Sequence, residues 1–452
     1  MKKKHVGTKL KVAFNIIITF LFIASPYYIG LKYESCVAFA ADSSESTISI
    51  SLPAPLLEKG KQPVDWWFIF KFNGSKFPGC GSDAERTCIF DKDREVSTKK
   101  PYSQQFVYAS SADSSLKEGR NCLGMTIADP VGATFDQVYN NDSYYFVIWN
   151  DQFYNHPPIN DPKCKITTRN KGGNCFAPWG HSKGMLAWDR DGNGFVMQVT
   201  TPSWPGSGSS LSPRKNDGNT LGCVEDNNIK FSQHFFALRL SPSDVLTVLK
   251  WLANASVVTD TKNKQLVKNG GPDDIQKQVR NLGEKINGDK MKEPELLSTG
   301  VKLIAKPSGL NVPPWQMVSA YLGGESLKTA TWWDKPKIHS TKAVTDIECW
   351  DDSLGKPGPV EIALSGQWNN TNFALDGGIK GSNHNHAKIG ISTSDKEHNY
   401  VIFGDLNQQG ALTGNCSSSQ NGRGGLFFVL DNKALHDSVE NLIKGETDPA
   451  IE

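Results

Sequence analysis

Two segments of this chain share one layout, and that repetition constrains the fold more than any other feature. Gly180-His181-Ser182-Lys183 runs into the apolar stretch Gly184-Met185-Leu186-Ala187-Trp188, and Asn385-His386-Ala387-Lys388 runs into Ile389-Gly390-Ile391-Ser392. Each is followed by a turn, a second apolar strand and a polar loop. The first loop is Thr201-Pro202-Ser203-Trp204-Pro205; the second is Gly404-Asp405-Leu406-Asn407-Gln408-Gln409-Gly410. Ser203 comes 22 residues after its histidine and Asn407 comes 21 after the other. A chain that repeats such a unit is expected to fold as two similar halves that face each other.

On a strand, residues i and i+2 point to the same face. His-x-Lys at the head of a strand therefore brings an imidazole and an ammonium to one spot. That pair suits a phosphoryl group: the ammonium holds a non-bridging oxygen, while the imidazole attacks phosphorus or moves a proton. A lone His-x-Lys carries little weight, because a His capping a strand beside a solvated Lys gives the same pattern. Two copies with the same sequel carry much more. Set opposite each other, they supply a nucleophile on one side and an acid on the other. An Asn or Ser in the following loop can add a hydrogen bond to the phosphate.

The surrounding pattern is mixed α and β. Residues 64–71 and 144–149 read as buried strands, rich in aromatic and β-branched side chains. Residues 185–188 and 195–199 flank Asp189-Arg190-Asp191-Gly192-Asn193-Gly194, which reads as a hairpin turn. Ser241-Pro242 is a helix start, with a Ser cap and Pro in the first position, followed by Val245, Leu246, Val248, Leu249 and Leu252. Residues 302–305, 360–364, 387–391 and 400–403 read as further strands. A last helix puts Leu435, Val439, Leu442 and Ile443 on one face. The expected organisation is an N-terminal half over 41–260, a charged bridging segment with some helix over 261–297, and a C-terminal half over 298–452. Interleaved strands and helices predict mixed sheets covered by helices on both faces.

Charge locates a processing signal. The chain's formal net charge is +2, which excludes a strongly basic nucleic-acid coat and an acidic tail protein. Residues 1–40 hold six lysines against Glu34, an apolar run from Val12 to Ala24, and Ala38-Phe39-Ala40 as a small-x-small cleavage site. They read as a secretory signal peptide; Pro26 and the shortness of the run argue against a membrane anchor. Taking that +5 from the chain's +2 leaves a mature protein at −3. Beyond Cys36 the cysteines are Cys80, Cys88, Cys122, Cys164, Cys175, Cys223, Cys349 and Cys416. An even number in an exported protein reads as disulfides, with connectivity open. The absence of any C-x-x-C pair argues against a structural zinc site. Sequons stand at Asn73, Asn141, Asn254, Asn369 and Asn415, to be used only in a eukaryotic host.

At this point the chain resembles the deoxyribonuclease II family of acid endonucleases, within the phospholipase D superfamily. Pro63-Val64-Asp65-Trp66 is similar to the family's opening strand, and Trp149-Asn150-Asp151-Gln152 to its Tyr-Asn-Asp-Gln segment. Gly180-His181-Ser182-Lys183-Gly184, through Asp189, is similar to its Gly-His-Thr-Lys-Gly block, and the loop at Pro202-Ser203 to its Val-Pro-x-Phe-Pro loop. The second His-x-Lys segment, residues 404–410 and Gly422-Arg423-Gly424-Gly425 match its second half. The ordered matches cover residues 63–430. One departure is Lys61-Gln62, where animal members carry a Cys, so that familiar disulfide cannot form here.

The resemblance implies two pseudo-repeated phospholipase D-like halves with the active site at their interface. It implies a phosphodiesterase that cuts DNA through a phosphohistidine without metal or other cofactor, leaving a 3′-phosphate and a 5′-hydroxyl. His181 and His386 share the nucleophile and general-acid roles, with a lean to His181 as nucleophile. Lys183, Lys388 and Asn407 stabilise the transferring phosphoryl group. Asn150, Gln152, Ser203 and Asp405 are substrate-binding candidates. The expected location is extracytoplasmic, or lysosomal in a eukaryotic host, with no stable membrane association once the signal is cleaved and with oligomeric state open. Imidazoles beside lysines should have lowered pKa values, which predicts an acidic optimum. The pattern Asp189-x-Asp191-x-Asn193-Gly194 opens like a calcium loop, but Thr200 stands where the closing Glu belongs, so a hairpin is the better reading. Trp66-Trp67 and Trp332-Trp333 fit core packing better than base stacking. Two other readings compete: a related enzyme acting on RNA or phospholipid, separable by plasmid nicking against phosphatidylcholine cleavage, and an exported nucleic-acid binder without catalysis, which the two intact His-x-Lys pairs argue against.

Overall fold

A computed structural model describes residues 52–73, 77, 105–119, 123, 127–139, 142–151, 180–202, 231–286, 288, 291–377, 385–394 and 397–451. The signal segment, Gln152, Ser203 and all the cysteines except Cys349 and Cys416 lie outside them. The described residues form a mixed α and β structure built on two large sheets.

The first sheet has eight strands: β1 (Trp66–Lys71), β2 (Phe106–Ser110), β3 (Asp113–Glu118), β4 (Tyr145–Asn150), β5 (Lys183–Trp188), β6 (Gly194–Val199), β7 (Gln233–Leu240) and the short β8 (Val267–Lys268). Helix α1 (Pro130–Tyr139) leads into β4; α2 (Pro242–Asn254) and α3 (Asp273–Asn281) flank β8 in the chain. The second sheet has seven: β9 (Glu295–Leu296), β10 (Lys302–Lys306), β11 (Leu327–Ala330), β12 (Val360–Ile362), β15 (Ile389–Ser392), β16 (Tyr400–Gly404) and β17 (Gly425–Asp431). Helix α4 (Pro314–Tyr321) stands between β10 and β11, a separate hairpin forms β13 (Ser365–Trp368) and β14 (Thr371–Ala374), and α5 (Lys433–Leu442) closes the series.

The strand order β1-β7-β6-β5-β4 in one sheet recurs as β10-β17-β16-β15-β11 in the other. The repeated sequence unit is thus a repeated topology. The sheets pack on each other through rings: Phe68 and Phe236 of the first meet Phe403 of the second at centroid distances of 4.7 and 4.3 Å. One core cluster draws on both sheets, and a second lies around Trp315 of α4. Strand β1 is buried along its whole length, as its unbroken apolar pattern requires of a strand covered on both faces.

Local signals fold as the sequence predicts. The Ser241 hydroxyl accepts from the Asp244 N–H while the Asp244 carboxylate accepts from the Ser241 N–H, a reciprocal cap on α2. Helix α5 buries Leu435, Val439 and Leu442. In the β5–β6 turn the Asp189 carboxylate accepts the N–H groups of Asp191 and Asn193 at 2.9 and 3.0 Å, and Gly192 takes φ +90°, so this carboxylate serves the turn. Segment 261–297 does more than bridge: it gives β8 to the first sheet, β9 to the second, and buries Ile275 and Val279 of α3. The predicted strand at 360–364 is shorter, ending at Ile362. Trp67 is fully buried, with its indole N–H on the Thr134 hydroxyl. Of the sequons, Asn73 is fully buried, the Asn254 amide nitrogen is buried, and Asn369 and Asn415 are exposed.

Cys349 and Cys416 form a disulfide across a sequence separation of 67 residues. The chain-entropy relation makes a loop of that size worth about 4 kcal/mol. Replacing both cysteines by serine should lower unfolding stability by about that amount in urea titrations.

Candidate active site

The two histidines stand where the sheets are stitched together. The His181 N–H donates to the Gly424 carbonyl at 2.7 Å, and the His386 N–H donates to the Ser232 carbonyl at 2.8 Å. Each bond crosses from one sheet's segment to the other's: Gly180 bridges Gly424 just before β17, and Asn385 bridges Ser232 just before β7. A side chain at position 424 would put its first carbon 1.9 Å from the Ala255 carbonyl oxygen, so the close approach needs glycine.

The ring nitrogens are fixed from behind. His181 Nδ1 lies 2.8 Å from the Asp405 backbone carbonyl. A carbonyl only accepts, so Nδ1 carries a proton and Nε2 holds the lone pair of the neutral ring. His386 Nδ1 lies 3.3 Å from the Gln233 side-chain nitrogen, and the Gln233 oxygen takes the Thr200 hydroxyl at 2.8 Å. An amide there can serve either form of the ring, donating to a neutral Nδ1 or, turned over, accepting from a protonated one. The His386 ring packs against Phe231 and Trp332, both at 4.7 Å between centroids. Trp332 is half-buried, whereas Trp333 is buried with its indole N–H on the Ile338 carbonyl.

Both lysines are buried, each 3 % exposed. Lys183 is held by the Asp151 carboxylate, whose other oxygen accepts from Arg423 at 2.9 Å. Lys388 Nζ donates to the His386 carbonyl at 2.7 Å. The charges act on one another: burial first, then the Lys183 charge, pushes Lys388 well below the usual lysine range, against the pull of Asp405 and Asp151. Burial, followed by Lys183, also pushes His181 well below the ordinary histidine value, and Lys388 adds to the effect. His181 and the two lysines therefore share one electrostatic site.

A hydrogen-bond chain joins the pairs from behind. The Lys388 N–H donates to His234 Nδ1 at 3.0 Å; this obliges His234 Nε2 to carry the proton, and it faces the Gln198 oxygen at 3.3 Å. The Gln198 amide donates to the Asp405 carboxylate at 3.0 Å, and Asp405 also takes the Leu426 N–H at 2.8 Å. Burial pushes the Asp405 carboxyl up to about 6, although these donors, Ser182 and Lys183 pull it down.

The sequence candidates thus separate. The charges of Lys183 and Lys388 both act on His181, and Lys388 bonds the His386 backbone carbonyl. Asp405 lies behind His181, with its carboxylate turned to Leu426 and Gln198. Asn150 is buried, its amide on the Thr201 carbonyl at 3.2 Å. Asn407 is 6 % exposed; its amide nitrogen donates to Gln409 at 2.8 Å, and its oxygen is buried without a partner among the described residues. Sequence reasoning missed Asp151, Arg423, Gln198, Gln233 and His234. The first two lie inside matched segments, which was the only available signal. Among the described residues no three His, Cys, Asp or Glu side chains form a metal-binding group.

A family profile described as Deoxyribonuclease II matches residues 57–448. A search of curated proteins found no match. Among solved structures, the chain is similar to two crystal structures of yeast tyrosyl-DNA phosphodiesterase. The first, a mutant form, has 8 % identity and a TM-score of 0.33 over 67 % of this chain and 86 % of that one. The second has 7 % identity and the same TM-score over 66 % and 85 %.

Proposed function

The chain belongs to the deoxyribonuclease II family, and from that premise we propose that it is an exported, acid-active endonuclease that cuts DNA through a phosphohistidine on His181. The observation that carries the assignment of roles is the pair of Nδ1 contacts. The Asp405 carbonyl leaves the His181 Nε2 lone pair free to attack, and Gln233 can support His386 in the protonated form that an acid needs. Two aromatic rings, Phe231 and Trp332, pack against the His386 ring and hold it in place.

In the first step the His181 Nε2 lone pair bonds to phosphorus, the bond from phosphorus to the 5′-oxygen breaks, and His386 gives that oxygen its Nε2 proton. The products are a free 5′-hydroxyl and a 3′-phosphoryl group on His181. In the second step the now neutral His386 takes a proton from water, the water oxygen bonds to phosphorus, and the P–N bond returns its electron pair to His181. Lys183 and Lys388 stabilise the non-bridging oxygens in both steps. The phosphate has to compete with Asp151 for Lys183, so the site is neutralised before substrate enters.

The scheme needs no metal and favours acid. His181, lowered by burial and by Lys183, stays neutral as pH falls. Lys388, also lowered, loses its charge as pH rises, and the proposed acid step needs a protonated imidazole, which low pH favours. The expected result is plasmid nicking that peaks near pH 5, is at least about 10-fold slower at pH 8, and is unchanged by excess EDTA. Cleaved ends should accept a kinase-transferred phosphate at 5′ without phosphatase treatment. An alkaline optimum, or loss of activity in EDTA, defeats the scheme.

Export rests on the 1–40 segment. The Cys349–Cys416 disulfide supports an oxidising compartment.

A further inference from the structure

Two lysines outside this chemistry occupy equivalent places. Lys71 ends β1 and Lys306 ends β10, the corresponding strands of the two sheets. Both are fully buried. Lys71 Nζ donates to the Phe231 carbonyl at 2.7 Å and to the next residue's carbonyl, Phe72, at 3.1 Å. Lys306 Nζ donates to the Arg423 carbonyl at 3.0 Å, to Asn421 at 2.5 Å and to the next residue's carbonyl, Pro307, at 3.4 Å. Phe231 immediately precedes Ser232, whose carbonyl holds the His386 N–H; Arg423 immediately precedes Gly424, whose carbonyl holds the His181 N–H. One arrangement is built twice.

Burying an amino group this deeply is costly unless its hydrogens are used. Three carbonyls around Lys306 match the three donors of an ammonium, whereas a neutral amine has two. A methionine would fill either strand end at lower cost, so stability alone does not explain the choice.

We propose that Lys71 and Lys306 are positioning residues: Lys71 clamps the segment that holds His386, and Lys306 clamps the segment that holds His181. The proposal rests on the functional reading above. It makes the two clamps unequal in consequence, because one serves the acid and the other the nucleophile.

Burial lowers both lysines to about 7. Among the described residues, the titratable and charged groups near them are His234 on β7 and the His386 ring on Phe231 near Lys71, and Arg423, with its guanidinium on Asp151, near Lys306. Both clamps are therefore charged in acid and let go as pH rises through neutrality. The stability sign is opposite. A lysine lowered in the folded state binds fewer protons there than in the unfolded chain between pH 7 and 10, so its contribution to stability grows over that range. A melting temperature that holds above pH 7 while activity falls separates that loss of activity from unfolding.

The test uses Lys71→Met and Lys306→Met in the whole protein, on two substrates. On plasmid DNA at pH 5 both variants should lose roughly 30- to 100-fold in kcat, with KM within about 3-fold of wild type, since a small misplacement of a reacting group costs about that much. The second substrate is the 4-nitrophenyl ester of thymidine 3′-phosphate, whose leaving group departs without a proton. Here the nitrophenol burst of Lys71→Met should recover to within about 3-fold of the wild-type rate, with slow turnover after it because His386 also activates the water, while the burst of Lys306→Met stays impaired. Wild-type kcat in either variant, or equal recovery of both, overturns the proposal. If a methionine variant gives no cooperative melt, Lys71→Gln and Lys306→Gln take the same two-substrate test, with the same outcomes overturning the proposal. If His181→Ala and His386→Ala remain active, the functional reading itself fails; if they are dead while both methionine variants behave as wild type, only the clamps fail.

Discussion

His181→Ala should lower kcat on DNA by about 10⁴-fold or more, and no substrate with a better leaving group should restore it. Without the Nε2 lone pair there is no P–N bond, and the Lys183 and Lys388 charges have no transition state to stabilise. His386→Ala should look equally dead on DNA, where the departing 5′-oxygen is a poor leaving group that needs its proton. On the 4-nitrophenyl ester the two variants should part. His386→Ala should make the phosphohistidine at a rate within about 10-fold of wild type and then hydrolyse it slowly, because the group that activates water is gone. A burst of nitrophenol equal to the enzyme concentration, followed by slow turnover, is the expected trace. Alkaline-stopped samples should carry no label on His181→Ala and one phosphoryl group on His386→Ala, since phosphoramidate bonds survive base. A burst from His181→Ala, or its absence from His386→Ala, exchanges or removes the roles. The same burst in both would mean that neither histidine is the nucleophile.

Much of this site was legible in the sequence because its signals are local. The His-x-Lys pairs mark the heads of two strands, β5 and β15, and the strand periodicity that argues for a shared face needs no tertiary information. Buried β1, the Ser241–Asp244 cap and the apolar face of α5 follow from the same local rules. What stayed hidden depends on contacts between distant residues. Asp151 and Arg423 form an ion pair across 272 positions, and nothing in either segment's pattern reports the other. Lys71 and Lys306 read as ordinary lysines closing apolar strands, the kind that usually reach solvent. Each is buried against the segment that leads into the neighbouring strand of its own sheet, β7 for Lys71 and β17 for Lys306, and that contact is remote in sequence. Strand β7 carries Gln233 and His234 at its head, which look like polar breaks in an apolar run; both are paired inside the molecule, with Thr200, His386, Gln198 and the Lys388 N–H. Strand β3, DSSLKE, lies at a sheet edge with alternating exposure and has no apolar run to find.

Asp151→Asn should produce the largest loss of stability of any conservative change at the site, about 3–5 kcal/mol, and should turn phosphate into a stabiliser. The carboxylate side chain is 2 % exposed between Lys183 and Arg423. Burial alone would raise its pKa, but the Lys183, His181 and Arg423 charges more than reverse that and hold it well below the usual carboxylate range. A carboxyl depressed in the folded state contributes stability that is fully present above its unfolded value near 4 and is lost only as pH falls toward the folded value. The ion pair therefore survives at the acidity where the enzyme is proposed to work. Asparagine keeps the shape and removes the charge, leaving two buried cations without a counter-ion, so urea midpoints should fall at pH 5 and pH 7 alike. His181 also loses the carboxylate that raises its pKa, so it stays neutral and the nucleophile is unaffected. The vacated negative charge is the one that a substrate phosphate supplies. Inorganic phosphate should thus raise the melting temperature of Asp151→Asn by several degrees more than that of wild type, through binding to the folded state alone. An unchanged midpoint means that solvent already screens Lys183 and Arg423; an equal phosphate response in both proteins means that Asp151 does not compete with the phosphate for Lys183.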